Sequence, residues 1–171
     1  RNLAVIPARG GSKRIPRKNV RDLGGRPMIA YTIMAALESG VFENVVVSTE
    51  DEGIADIARS LGAEVPFRRG ENLADDVTPV SQVTLDALRR LDPEGTRYHR
   101  VCQLMANCPV RDAEDVRASL EQFRTSGAGS QLSVTRFAWQ NAWWAMRRHE
   151  NLALDPLFPQ EIKMRSQDLP P

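Results

Sequence analysis

Six permanent cations, Arg9, Lys13, Arg14, Arg17, Lys18 and Arg21, lie in one short stretch that contains no acid before Asp22. Like charges this close repel one another unless an anion joins them. The chemistry on offer is therefore the binding of a compact polyanion and the stabilisation of negative charge developing on it. Gly10 and Gly11 lack a Cβ, so the backbone between the cations can take positive φ and bring its N–H groups against an oxyanion as a nest. Pro7 and Pro16 restrict the two ends and lower the entropy cost of that arrangement. Neither the Walker spacing nor the dinucleotide spacing of glycines is present. A nucleic-acid contact or a solvated basic loop is the plain alternative, but it requires neither the glycine pair nor the prolines. Net charge over the 171 residues is only +1. With the basic character concentrated in one loop, a small anionic ligand is expected and a nucleic-acid partner is not.

The elements that must position this stretch can be read from periodicity. Leu3, Ala4, Val5 and Ile6 form a short apolar strand directly before it. After a Gly24-Gly25 turn, Met28, Ile29, Ile33, Met34 and Leu37 recur at helical spacing, predicting a helix over Pro27–Ser39 that Gly40 ends. Val45–Val47 reads as a strand covered on both faces. Asp51 caps a second helix whose stripe is Ile54, Ala55, Ile57, Ala58 and Leu61, stopped by Gly62, and a third strand is expected over Glu64–Phe67. Beyond the polar loop Arg68–Thr78, a helix is expected over Pro79–Leu91, a turn at Asp92–Gly95, a strand over Val101–Met105, a helix over Asp112–Ser126 and a strand over Leu132–Phe137. Alternating strands and helices at this spacing predict a mostly parallel sheet in a three-layer, Rossmann-like α/β fold. Ligands of such sheets bind beyond the carboxyl ends of the strands, where the basic loop falls. The adjacent Asp75 and Asp76 read as cap and macrodipole partners of the following helix rather than as a metal pair.

The composition, 42% hydrophobic and 26% charged, is that of a folded domain with a sizeable core and argues against disorder. Two cysteines, Cys102 and Cys108, in a chain too large to need staples are expected to be reduced, as in a cytoplasmic protein. Cys102 reads as core filler, and Cys108 is not needed as a nucleophile. No apolar run approaches the about 20 residues that cross a bilayer, and no leader pattern opens the chain, so no membrane partner is expected. The start at Arg1 and the end at Pro170-Pro171 lead us to expect that both ends are trimmed.

Ala8-Arg9-x-x-Ser12-Lys13-x-x-Pro16-x-Lys18-Asn19 resembles the signature loop of the acylneuraminate cytidylyltransferases, the CMP-sialic acid synthetases, and of the related 3-deoxy-manno-octulosonate cytidylyltransferases. The resemblance implies a nucleotidyltransferase fold in which this loop binds the triphosphate of CTP. Arg9, Lys13 and Lys18 would be the catalytic cations, Gly10, Gly11 and Ser12 would line the phosphates, and Asn19 would help fix the nucleotide. Arg69-x-x-x-Leu73-Ala74-x-Asp76 resembles a second family segment, with Gly70 replacing its usual proline. Arg69 and the following Ser81 are carried over as base-binding candidates, and Asp76 as a substrate-binding one. Met105–Arg111 resembles the segment where the family's nucleotide and sugar pockets meet. Pro109 and Arg111 match, Met105 stands where relatives place a sugar-contacting glutamine, and Asn107 and Arg111 are the substrate-binding candidates.

By the same resemblance residues 1–137 form the cytidylyltransferase core and residues 138–171 a dimerisation extension, rich in tryptophan at Trp139, Trp143 and Trp144. Lys163–Pro170 resembles the family's Arg-x-Gln-x-x-Pro region, and Arg165 would reach the partner subunit's site in a homodimer. The implied reaction transfers CMP from CTP to the anomeric hydroxyl of a nonulosonic, sialic-acid-like sugar acid, with Mg²⁺ or another divalent cation, and releases pyrophosphate. The family's metal-binding aspartates follow a strand beyond the last of these 171 residues, so no metal ligand is assigned here. Two alternatives stay open: a 3-deoxy-manno-octulosonate cytidylyltransferase, and a nucleotide-binding paralogue without catalysis. The Trp-Trp segment and the Arg-Ser-Gln-Asp-Leu-Pro ending lean toward nonulosonates.

Overall fold

The computed structural model describes residues 1–12, 15–75, 77–134, 142–164, 168 and 169. They fall into two compact units, Arg1–Ala128 and Gly129–Pro171. The first is a three-layer α/β unit. Its sheet is built on β1 (Asn2–Pro7), and its next elements are a two-residue hairpin, β2 (Asp22–Leu23) and β3 (Arg26–Pro27), and α1 (Met28–Ser39). Gly24 and Gly25, both at positive φ (63° and 86°), make the hairpin turn that matches strand twist. β4 (Asn44–Ser48) follows, then α2 (Glu52–Ser60), α3 (Val80–Leu91), β5 (Arg100–Gln103) and α4 (Ala113–Ser126).

The sheet order is β4-β1-β5, all parallel, with Val5 opposite both Val46 and Gln103. Alternation along the strands divides the core. Ala4, Ile6, Val45 and Val47 face Ile29, Ile33, Ala36, Ile54 and Ala58 of α1 and α2. Leu3, Val5 and Val46 face Ala87 of α3 and Tyr98, with Phe67, Leu88 and Leu91 packed beside them. The two faces are covered by different helices because the chain leaves β1 first toward β4 and then returns to the opposite side of β1 at β5. Order reverses there, and the carboxyl ends of β1 and β5 flank the switch point where such sheets bind ligands.

Helix ends follow their local chemistry. Asp51 Oδ1 accepts the Ile54 N–H at 2.9 Å and opens α2. Asp112 and Asp115 exchange side-chain and backbone bonds in a capping box at α4, and Gly127 ends that helix at φ 67°. The turn after α3 is organised by buried Asp92, whose carboxylate accepts the N–H groups of Thr96, Arg97 and Tyr98.

Two expected strands are not formed as read. Over Glu64–Phe67 the chain makes only a single parallel bridge, Glu64 with Val46, through the bonds Val47 N–H to Glu64 O and Glu64 N–H to Val45 O. Pro66 has no N–H to extend the ladder. Residues 131–134 carry no regular structure, and 135–137 lie outside the described residues. The second unit holds a small hairpin, β6 (Met146–Arg148) with β7 (Leu154–Pro156), and Trp143 packs edge-on against Phe158 with centroids 5.0 Å apart. None of the described residues in 129–171 is buried.

Candidate active site

The basic loop leaves β1 at the switch point and is fixed from below by Asn19. That side chain is buried and donates from Nδ2 to the Arg9 carbonyl at 2.9 Å, so the loop's first cation is set by its last residue. Asn19 itself sits in a short 3-10 turn, Lys18–Val20, entered through Arg17 at φ 52°. Arg9 reaches across the crevice and donates to the Asp75 carbonyl at 2.7 Å. Asp75 is a turn residue, its Oδ1 accepting the N–H groups of Val77 and Thr78 at 3.0 and 2.6 Å. Loops from β1 and from before α3 are thereby joined at the carboxyl edge of the sheet.

The nest expected at Gly10 and Gly11 is not formed, since neither residue takes a positive φ. Gly10 is required for a different reason. A Cβ built on it would lie 2.5 Å from Asp51 Oδ2 and 3.0 Å from Asp51 Cβ, so the loop passes directly against the cap of α2. Around Gly11 a Cβ would meet nothing within 4 Å. The Gly10 N–H, rather than lying open, donates to Glu50 Oε1 at 2.7 Å.

Glu50 is the site residue that sequence reading missed. It follows β4 by two residues, and its other oxygen, Oε2, pairs with the Arg69 guanidinium. The Arg69 side chain is only 3% exposed and that of Glu50 18%. Arg69 also donates its backbone N–H to the Thr49 carbonyl at 3.0 Å. The candidate base-binding arginine is thus buried beneath the basic loop, tied to it through one carboxylate. The signal was present: an acid directly after an apolar parallel strand sits at the carboxyl edge, where the ligand loops converge.

On the far side of the switch point, Ser81 is exposed in the first turn of α3. One turn on, Thr84 Oγ1 donates to Gln103 Oε1 of β5 at 2.8 Å. Asn107 is exposed in the loop after β5. Arg111 is not free to reach outward. Its NH2 donates to Thr32 Oγ1 at 3.1 Å and to the Met105 carbonyl at 3.2 Å, and the Thr32 hydroxyl donates to the same carbonyl. Arg111 therefore clamps the loop after β5 onto α1. Lys18 is half-buried and Ser12 half-exposed on the loop. Lys13, Asp76 and Arg165 lie outside the described residues.

Beside the loop, on the β4 side, is a cavity of about 500 Å³ lined by Gly10, Gly11, Arg17, Arg68 and four acids, Glu50, Asp51, Glu52 and Glu71. Three of the four carboxylates are paired, Glu50 with Arg69, Asp51 with Arg17 and Glu52 with Arg59. Arg9 is not among the lining residues, and its guanidinium donates to the Asp75 carbonyl. Both cysteines are free; Cys102 is partly buried against the core under α1 and α2, and burial pushes its thiol above its ordinary range.

A family model described as cytidylyltransferase matches residues 3–143. This chain belongs to the cytidylyltransferase family. Among curated relatives, the pseudaminic acid cytidylyltransferase of Campylobacter jejuni is 38% identical over 171 residues, covering 99% of this chain and 72% of that one. The CMP-N,N'-diacetyllegionaminic acid synthase of Legionella pneumophila is 37% identical over 170 residues, covering 99% and 73%. Among solved structures, a cytidylyltransferase from Leptospira borgpetersenii superposes with a TM-score of 0.59 at 26% identity, covering 74% of this chain and 50% of that one. A CMP:2-keto-3-deoxy-manno-octonic acid synthetase complexed with CTP gives a TM-score of 0.61 at 24% identity, covering 74% and 48%, which speaks for the fold. The chain spans about half the length of these solved cytidylyltransferases.

Proposed function

We propose that this cytidylyltransferase transfers CMP from CTP to the anomeric hydroxyl of a nonulosonic sugar acid, of the pseudaminate or legionaminate kind, and releases pyrophosphate. The observation that carries this reading is the cation-rich loop fixed at the sheet's switch point by Asn19, in a chain 38% identical over 171 residues to a pseudaminic acid cytidylyltransferase of which it covers 72%. The sugar oxygen forms a bond to the α-phosphorus and the bond from that phosphorus to the bridging oxygen breaks. The hydroxyl proton leaves to solvent, and the electron pair stays on pyrophosphate.

Charge grows on the leaving oxygens, so cations held beside them stabilise the transition state more than the bound substrate. Arg9 and Lys18, with Lys13, carry that work in our reading. Arg69, buried and tethered, supports the nucleotide pocket rather than the phosphates. Ser81, exposed in the first turn of α3, and Asn107, exposed in the loop after β5, would meet base and sugar in this reading. Arg111 acts by holding the loop after β5, whose Met105 is exposed.

We assign Mg²⁺ or another divalent cation to the triphosphate. Such an ion brings charge neutralisation of the phosphates when bound. Among the described residues no group of three or more His, Cys, Asp or Glu could hold a metal. Of the nearest carboxylates, Glu50 already serves Gly10 and Arg69, and Asp51 serves the start of α2. No residue of this chain is therefore assigned to the ion, and no step is drawn through it.

A homodimer also belongs to this reading. The second unit has no buried residue among those described, yet it exposes Trp144, Met146, Leu152, Leu154 and Leu157. Exposed aromatic and aliphatic side chains of this kind support an interface in this reading. A cytoplasmic location belongs to this reading too, since CTP is its donor; among the described residues no helix is long and apolar enough to cross a membrane. The test is pyrophosphate release from CTP and Mg²⁺ with neuraminate, legionaminate, pseudaminate and octulosonate in turn. Release with a nonulosonate, lost in Lys18→Ala, is expected. Release with octulosonate alone contradicts the sugar class, and CTP binding without release from any of the four contradicts catalysis.

A further inference from the structure

We infer that Glu50 is a positioning residue for the phosphate-binding loop, acting through the Gly10 backbone and held in place by Arg69. The inference rests on the triphosphate reading of that loop.

Two charged or polar partners converge on this one carboxylate. Oε1 takes the Gly10 N–H at 2.7 Å and Oε2 takes the Arg69 guanidinium. Both Glu50 and Arg69 are largely shielded from water, so neither bond is easily replaced by solvent. Gly10 immediately follows Arg9, whose carbonyl accepts from Asn19 and whose guanidinium donates to the Asp75 carbonyl. With the Gly10 N–H released, the loop loses its only described backbone tie to the β4 side beyond the Ala8 N–H to Ser48 O bond at 3.0 Å. The cations would then have to be gathered when the anion binds, at an entropic cost that the present arrangement has already met.

Arg69 has the complementary task. Its Nε is buried without a hydrogen-bond partner, and its charge has Glu50 as partner. It orients the carboxylate toward Gly10 while Thr49 holds its own backbone. The charge of Glu50 is therefore needed for stability, because it balances a buried guanidinium. Its Oε1 is needed for the loop. These two needs separate in different substitutions. Glu50→Gln keeps a carbonyl oxygen for the Gly10 N–H but loses the charge opposite Arg69. Glu50→Ala loses both.

Inorganic tripolyphosphate and cytidine, titrated separately by calorimetry into the wild-type chain and the two variants well below their melting temperatures, distinguish the roles. The expected result is that Glu50→Ala weakens tripolyphosphate by about tenfold and cytidine, whose pocket Arg69 supports, by no more than about threefold. Glu50→Gln lowers the melting temperature yet keeps tripolyphosphate affinity within about twofold of wild type. Loss of affinity in both variants in proportion to lost stability, or equal loss for both ligands, overturns the inference in favour of a purely structural role. Tighter tripolyphosphate binding by Glu50→Ala overturns it by making Glu50 a competitor of the anion. Binding by wild type that Glu50→Ala leaves intact sinks this inference alone, whereas no tripolyphosphate binding by wild type sinks the loop reading and this inference together.

Discussion

Replacing Gly10 by alanine tests the packing of the phosphate loop more sharply than any charge substitution. The added Cβ would stand 2.5 Å from Asp51 Oδ2 and 3.0 Å from Asp51 Cβ, and one of the two must move. If Asp51 yields, α2 loses its cap to the Ile54 N–H, a cost of about 0.5–2 kcal/mol. If the loop yields, the Gly10 N–H leaves Glu50 and stays unsatisfied, a cost of about 1–3 kcal/mol. For a chain of this size about 1 kcal/mol moves the melting temperature by about 2–4 °C, so Gly10→Ala should lower it by several degrees. Gly11→Ala, with nothing within 4 Å of its Cβ, should stay within about 0.5 kcal/mol of wild type. Asp51→Gly removes the obstructing side chain, so the double variant Gly10→Ala/Asp51→Gly should be more stable than the sum of the singles by at least about 0.5 kcal/mol. Thermal and denaturant unfolding of the four variants reads this directly. Equal melting temperatures for Gly10→Ala and Gly11→Ala, or strict additivity in the double variant, would refute the close approach of loop and helix cap.

Stability at low pH should depend on Asp92, whose carboxyl is held below its ordinary value by the N–H of Tyr98 and, after it, those of Thr96 and Arg97. Its contribution is complete above the unfolded value of about 3.9 and fades as pH falls through the lower folded value. Asp92→Asn should accordingly flatten the acid limb of denaturation midpoint against pH, and an unchanged limb contradicts the assignment. A thiol reagent should label Cys108 at once and Cys102 only on unfolding, because burial raises the Cys102 thiol's pKa; two fast equivalents in the native protein would count against it. Asn19→Asp cannot donate to the Arg9 carbonyl and should weaken CTP by tenfold or more while lowering stability by about 1–3 kcal/mol; unaltered CTP affinity would remove Asn19 from the site.

The layers were legible because they depend on local pattern. Val45–Val47, the stripe from Ile54 to Leu61 and the Asp51 cap all sit where periodicity and capping chemistry place them. The third strand failed because its apolar residues met Pro66, and a parallel ladder cannot continue through a missing N–H. In the site, the cations and Asn19 were visible as residue types, but their partners were not. Glu50 lies 40 residues from Gly10 in the chain and 19 from Arg69, and Thr32 lies 79 from Arg111. No window of sequence reports such separations. Gly10 was rightly marked as special and given the wrong reason: close approach to Asp51, not positive φ, excludes a side chain there.

The most direct test of the central claim is to incubate the protein with CTP labelled at the α-phosphate, Mg²⁺ and a nonulosonic acid, and to find the label by mass spectrometry. Label in a CMP ester of the sugar acid, formed in step with pyrophosphate and lost in Lys18→Ala, is the predicted result. Label remaining in CTP, or appearing only in free CMP whether or not sugar acid is present, would contradict the account.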